Sequence, residues 1–102
     1  MRTTTLEEYM AEATRRFGPD RMKWKFVCPC CHHVASAEDY KKAGAPEGAV
    51  GFSCVGRWAG AKRGAFDNGP GPCDYAGGGL IGLNPVEIQG HERYFEFAEV
   101  PA

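Results

Sequence analysis

The residues best suited to chemistry in this sequence are its cysteines, of which there are five among 102 residues. Cys28 and Cys31 are separated by two residues, and at this spacing a tight turn can aim two sulfurs at one ion. Cys54 follows at the end of an expected strand, and Cys73 lies in a turn-like Gly-Pro-Cys-Asp segment. We therefore predict that Cys28, Cys31, Cys54 and Cys73 together hold one Zn²⁺ as thiolates.

Other ligand sets and a disulfide scaffold are alternatives to this site. Cys30 and His33 form an overlapping C-x2-H pair with His32 between them, so the sequence leaves open whether one of these three replaces a thiolate. No apolar stretch follows Met1, so we expect no signal peptide and a cytoplasmic location. In that compartment clustered Cys and His favour a metal over disulfides. No run of residues is long and apolar enough to predict a membrane span.

The predicted zinc is structural, because four thiolates leave no coordination position for a reacting water. The sequence also lacks an H-x-E motif before Cys28, an H-E-x-x-H motif, a P-loop and a G-x-S-x-G elbow. We therefore expect that the protein is not an enzyme. The competing hypothesis places His32, His33 and Glu38 around an open metal position.

Two helices and several short strands are expected to position the cysteines. A capping pattern that includes Thr5 and Glu8, followed by apolar residues at helical spacing, predicts an N-terminal helix to about Arg16. A second capping pattern predicts a helix over 37–43.

We predict strands at 24–27 and 49–54, a glycine-rich loop over 55–72, and a hairpin in which 86–88 turns into 93–97. Residues 43–82 carry most of the 14 glycines, whose ordering costs more backbone entropy than their burial recovers. The expected fold is therefore α+β: a zinc-ribbon or treble-clef-like arrangement with an N-terminal helix and a C-terminal β-hairpin, as a single zinc-stabilised domain over 1–102.

The loop between Cys54 and Cys73 is the segment that suggests binding. Its basic and aromatic residues could contact phosphates and stack on bases; the candidates are Arg57, Trp58, Lys62, Arg63 and Phe66. The alternative is that Trp58 packs over the metal site and that the charges are simply solvated. The net charge of −1 gives no overall attraction to nucleic acid.

Three blocks in this order, FVCPCCHHV, FSCVGRW and GPCDYAGGGL, resemble a family of small zinc-binding proteins carried by phages and prophages. The usual first block of that family is C-P-x-C-G-H, so this chain differs by Cys30 at the variable position and by His32 where Gly is common. The resemblance implies a phage origin and supplies no function. The closed thiolate site and the missing catalytic motifs favour a binding module, and in a phage setting we expect its partner to be a host protein in the host cytosol, which the module would inhibit or regulate. The alternative is a zinc ribbon that binds nucleic acid through 56–66; the oligomeric state stays open.

Overall fold

The helices and strands of this protein are short and are connected mainly by turns. The computed structural model describes residues 2–61, 64–65, 71–79 and 82–99. Within these ranges the chain forms three α-helices and two three-stranded sheets. The expectation of an α+β fold is therefore confirmed. None of the helices in these ranges has the length and apolarity needed to cross a bilayer.

The N-terminal helix α1 (Leu6–Phe17) forms as predicted and extends one residue further. Thr5 caps it, because the Thr5 hydroxyl accepts a hydrogen bond from the backbone N–H of Glu8 at 3.1 Å. Its buried face includes Tyr9, whose hydroxyl donates to the carbonyl oxygen of Phe95 at 2.7 Å. This bond fixes α1 to the C-terminal strands.

The first sheet joins the two ends of the described chain. Strand β1 (Arg2–Thr4) runs parallel to β4 (Val86–Ile88), and β4 pairs antiparallel with β5 (Arg93–Tyr94). The β4–β5 hairpin was predicted, and β1 was not. Arg2 on β1 also forms ion pairs with Glu12 of α1 at 3.1 Å and with Glu96 of the last strand at 2.8 Å.

The second sheet carries the first pair of cysteines. Its central strand β2 (Lys25–Val27) pairs antiparallel with β3 (Val34–Ser36) on one side and with β6 (Glu96–Phe97) on the other. The predicted strand over 24–27 is thus confirmed from Lys25 onward. The β2–β3 hairpin leaves residues 28–33 as its turn.

The predicted C-terminal strand over 93–97 is broken in the middle. The backbone N–H of Phe95 donates to the carbonyl oxygen of Gly51 at 2.7 Å, and its carbonyl accepts from Tyr9. Phe95 therefore makes no ladder bonds, and the chain passes at this residue from the first sheet to the second. The hairpin prediction was correct in position and wrong in extent.

Helix α2 (Ala37–Ala43) follows β3 directly and confirms the prediction. The capping box is complete: Asp39 N–H donates to the Ser36 hydroxyl at 3.2 Å, and Ser36 N–H donates to the Asp39 carboxylate at 2.8 Å. Both bonds satisfy backbone donors that the first turn of a helix leaves free.

The predicted strand over 49–54 is wrong. A 3₁₀ helix (Glu47–Ala49) and tight turns take its place. Gly51 has a φ of 68°, and a Cβ at this position would lie 2.9 Å from the ring of Phe26. The turn brings the backbone of Gly51 against the ring of Phe26, and an extended chain would hold the two apart. A short helix α3 (Gly56–Ala59) then begins the segment that was predicted as a loop.

The core has two clusters of buried side chains. The larger joins α1 to both sheets through aromatic and aliphatic residues, and Cys28, Cys54 and Cys73 belong to it. The smaller cluster lies under α2 and α3 and contains Tyr40 and Val55. The cysteines are thus continuous with the hydrophobic core.

Candidate metal centre

The turn between β2 and β3 has the form of a zinc knuckle. Cys28 N–H donates to the His33 carbonyl at 3.1 Å, and His32 N–H donates to the Cys28 carbonyl at 2.9 Å. The backbone amides of Cys30 and Cys31 hydrogen-bond the Cys28 sulfur, and these two bonds partly oppose the rise in the pKa of Cys28 that the Cys54 sulfur and burial cause. His32 has a φ of 64°, the only positive φ outside glycine in the described chain. It therefore occupies the conformation that Gly would adopt more easily.

The same arrangement of amide and sulfur recurs at the other two segments. The Cys54 sulfur accepts hydrogen bonds from the amides of Gly56 and Cys73, and the Cys73 sulfur accepts one from the amide of Tyr75. Cys54 N–H also donates to the Tyr75 carbonyl at 2.9 Å, which ties these two segments together. The bonds from amides to sulfurs favour the thiolate form that a metal requires.

Gly56 allows these two segments to come together. It begins α3 two residues after Cys54 and packs against the backbone of the other segment. A Cβ on Gly56 would clash with the carbonyl oxygen of Cys73 and come within 2.9 Å of the Cβ of Ala61. Only a residue without a side chain fits this approach.

The four sulfurs lie at the separations of a tetrahedral thiolate site. All four Sγ atoms are within 4.8 Å of one another, with Cys28 and Cys73 at 3.9 Å and Cys31 and Cys54 at 3.7 Å. A Zn–S bond of about 2.3 Å in a tetrahedron implies S···S distances of about 3.8 Å. A disulfide would need about 2.05 Å, and no disulfide joins any of the five cysteines. The disulfide alternative is therefore wrong, and the donor set fits zinc.

The charge state of the thiols is strongly perturbed by their proximity. A hydrogen bond from the Cys28 thiol lowers the pKa of Cys54 to about 5. The same bond and burial raise the pKa of Cys28, and burial raises the pKa of Cys73 to about 12. Four thiolates this close repel one another unless a cation lies between them. A divalent ion would therefore displace the remaining protons.

The alternative ligands lie outside this cluster. Cys30 Sγ is 2.6 Å from the carbonyl oxygen of Ala65, so it points to the loop instead of the sulfurs. His32 is exposed and His33 is half-buried, and neither has a ring nitrogen in the cluster. Of the candidates predicted from the sequence, the structure brings together Cys28, Cys31, Cys54 and Cys73. Their role as ligands stays a prediction.

The predicted binding residues are only partly within the described chain. Lys62, Arg63 and Phe66 lie outside it. The Arg57 guanidinium donates to the Asp74 carbonyl at 3.2 Å and lies 5.7 Å from the ring centre of Trp58. Trp58 is half-buried against the smaller core cluster under α2, and so it does not cover the metal site.

Sequence reasoning missed two residues that shape the centre. Gly56 is one, and nothing in the sequence around it indicates that its backbone packs against that of Cys73. Asp74 is the other: its carboxylate accepts a hydrogen bond from Ala65 N–H at 2.7 Å and so anchors the loop beside Cys73. An Asp immediately after a turn cysteine is a plausible signal, because Asp side chains commonly bond to nearby backbone.

A family model, VVA0879-like, matches residues 5–98, which include all four clustered cysteines. The chain belongs to the VVA0879-like family. No curated protein and no solved structure matches it. The family match names neither a metal nor an origin, so the phage origin expected from the sequence stays a prediction.

Replacing His32 by Gly tests the geometry of the knuckle. Because Gly adopts a positive φ without steric cost, we expect His32→Gly to raise the free energy of unfolding by up to about 1 kcal/mol in the presence of zinc. His32→Val should lower it by about 1–2 kcal/mol, since β-branched residues rarely adopt this conformation. Denaturant unfolding measures both. A loss of zinc affinity in His32→Gly would show that the imidazole does more than occupy the turn.

Gly56→Ala tests the close approach of the Cys54 and Cys73 segments. The added methyl group must move one backbone segment, so we expect a loss of about 2–3 kcal/mol in unfolding free energy and weaker zinc binding in competition with a chelator. Gly48→Ala is the matched control, because a Cβ at Gly48 meets no atom within 4 Å and its φ is not positive. Equal effects of the two substitutions would contradict this account of Gly56.

Proposed function

We propose that this chain is a single zinc-stabilised binding module whose ion is structural. The observation that supports it is the convergence of four sulfurs from three separate segments at the spacing of a tetrahedral site. Cys28, Cys31, Cys54 and Cys73 would hold Zn²⁺. The bound ion would supply folding free energy, because its ligands meet only when the chain is folded.

The donor set and its burial favour structure over catalysis. Cys28, Cys54 and Cys73 are each at most 1% exposed. Four thiolates would fill the coordination shell, so a substrate or water would have no vacant position at the ion, although Cys31 is only half-buried. For this reason we propose that the protein is not an enzyme.

The arrangement around the sulfurs supports a zinc-ribbon or treble-clef-like fold. The first pair lies in the turn of the β2–β3 hairpin, which is where such folds carry their knuckle. The second pair differs from the usual C-x2-C form, because Cys54 precedes the short helix α3 and Cys73 follows a long intervening segment. Hydrogen bonds between backbone and sulfur compensate by fixing Cys54 and Cys73 individually.

We further propose that the partner of the module is a host protein in the host cytosol. This rests on the resemblance to phage proteins and on the weak support for nucleic acid. Trp58 is packed against the α2 cluster, and Arg57 covers its ring, so this indole is not a free platform for base stacking. Arg57 itself is exposed, which keeps nucleic-acid binding through 56–66 as the alternative.

Cobalt binding by serine variants of the adjacent Cys30 and Cys31 tests which sulfurs hold the metal. We expect one Co²⁺ per chain with the charge-transfer absorption of four thiolates, and reversible unfolding on chelation. Cys31→Ser should remove about a quarter of that absorption, since one of four sulfurs is lost. Cys30→Ser is the control and should leave the absorption unchanged. A folded chain that binds no metal, or a larger loss in Cys30→Ser, would refute the proposed ligand set.

Affinity capture and nucleic-acid titration separate the two partner classes. We expect the zinc-loaded chain to retain one host protein in stoichiometric amount, and to bind DNA and RNA weakly. If nucleic acid is the partner, affinity should fall steeply with salt and drop further when Arg57, Lys62 and Arg63 are changed together to Ala. That result, with no protein retained, would replace the protein partner by nucleic acid.

A further inference from the structure

A cavity lies beside the β4–β5 hairpin and the glycine-rich segment 77–79. Its volume is about 500 Å³, which is in the range of sites for small ligands. Its lining includes Glu87, Glu92 and Arg93 of the hairpin together with Phe52 and the glycines of 77–79. None of the four clustered cysteines lines this hairpin cavity, so it is separate from the candidate metal centre.

A buried amide in the lining of the hairpin cavity lacks a hydrogen-bond partner. Asn84 is 2% exposed, and its amide nitrogen donates to the carbonyl oxygens of Phe52 at 3.1 Å and of Arg93 at 2.9 Å. These two acceptors fix the orientation of the amide, because turning it over would place oxygen against oxygen. The side-chain oxygen Oδ1 is the one buried side-chain polar atom of the described chain without a partner. Since buried polar atoms are nearly always paired, this oxygen indicates a bound hydrogen-bond donor.

The charged side chains of the hairpin cavity favour a positively charged ligand. Glu87 and Glu92 are exposed, and within the described chain neither carboxylate forms an ion pair. Arg93 lies opposite Glu87 in the register of β4 and β5. Two carboxylates against one guanidinium leave one negative charge in excess among the described lining residues. A cation would therefore be attracted to this cavity and an anion repelled.

The half-buried ring of Phe52 adds an aromatic surface to the same cavity. A Cβ on Gly78 would lie 3.7 Å from this ring, and a Cβ on Gly77 would clash with the Phe52 carbonyl and lie 2.9 Å from the Asn84 amide nitrogen. The glycine segment therefore packs closely on both Phe52 and Asn84. A flat cation can stack on an aromatic ring while its N–H groups reach acceptors beside the ring.

We propose that the hairpin cavity binds a guanidinium group, carried by arginine as the free amino acid or within a peptide. A guanidinium has five N–H donors, no acceptor and a permanent positive charge. It can therefore donate to Asn84 Oδ1 and to the carboxylate of Glu87 or Glu92 at the same time. An ammonium group offers three donors on a point charge and has no flat surface to stack on Phe52. A neutral hydroxylated ligand would gain nothing from the excess carboxylate.

This site goes beyond the proposed function and does not rest on it. Cobalt binding tests the zinc ligands, affinity capture tests the host-protein partner, and neither experiment requires arginine to bind. Failure of arginine binding therefore leaves both of those proposals intact, and failure of either one leaves this site to be judged on its own titration.

Titration of the zinc-loaded, ¹⁵N-labelled full chain with arginine tests the site by NMR. We expect L-arginine or N-acetyl-arginine amide to cause saturable shifts around the cavity, including the side-chain NH₂ signals of Asn84, with a dissociation constant of about 1 mM or lower. L-citrulline is the matched control ligand, because it has the same length and no charge, and should bind at least about tenfold more weakly. Tighter binding of the capped form assigns the site to arginine within a protein, and tighter binding of L-arginine assigns it to the free amino acid.

Neutral variants provide a second test of the same site. Glu87→Gln and Glu92→Gln should each weaken arginine binding about threefold, and together about tenfold, because each removes one attractive charge and keeps the side-chain size. Glu47→Gln is the control: Glu47 is also exposed, forms no ion pair within the described chain and does not line this cavity. Circular dichroism checks that each variant is folded.

Three outcomes would overturn the guanidinium site. The first is the absence of saturable shifts at Asn84 up to about 50 mM arginine, as expected if water alone satisfies its oxygen. The second is binding of citrulline as tight as that of arginine. The third is a loss of affinity in Glu47→Gln equal to that in the Glu87 and Glu92 variants.

Discussion

The convergence of four sulfurs on one point is the constraint on which the rest of this structure depends. The sulfurs come from the β2–β3 turn, from Cys54 two residues before α3 and from a segment that packs on α3. Three of them are members of the larger hydrophobic cluster, so the candidate metal centre and the core are one packed region. Regular secondary structure contributes little near them: every strand in the described chain has only two or three residues, and α3 has four. Strands this short are not stable without tertiary contacts.

Hydrogen bonds from backbone amides stabilise negative charge on the clustered sulfurs. Four thiolates with one divalent ion would carry a net charge of about −2, which is unfavourable in a buried site. Amide N–H groups from Cys30, Cys31, Gly56, Cys73 and Tyr75 point at the sulfurs and spread this charge. These donors lie in the β2–β3 turn, at the first residue of α3 and in the irregular segment around Cys73, where no helix or strand uses their N–H groups internally. The irregular backbone around the centre is therefore suited to its chemistry.

The parts of the fold that the sequence predicted are those set by local interactions. Helices α1 and α2 were predicted because their caps and apolar periodicity lie within one segment. The cysteine set was predicted from spacing and from residue type. The misses come from contacts between distant segments. Strand β1 forms because β4 supplies its parallel partner, and Arg2 and its two following threonines gave no independent signal. The apolar residues around Gly51 looked like a strand because alternation does not reveal that the Phe26 ring requires a turn there.

The geometry of the centre was less predictable than its composition. Sequence spacing could not decide between Cys30 and Cys31, because both are cysteines within one turn and only the direction of the side chain separates them. That direction is set by the turn that His32 completes with its positive φ. Nor could spacing show that Gly56 must lack a side chain, since the group it would strike is the backbone of Cys73, seventeen positions further along the chain.

Phe95 connects α1, the turn at Gly51 and both sheets. Its amide and carbonyl are bonded to Gly51 and to Tyr9, while its neighbours in sequence belong to different sheets. A force applied to the last strand is therefore carried into both sheets, into α1 and into the turn that leads to Cys54. Moving α1 or the turn at Gly51 away from the C-terminal strands would break a hydrogen bond at Phe95, so this residue couples the hydrophobic core to the segment that leads to Cys54.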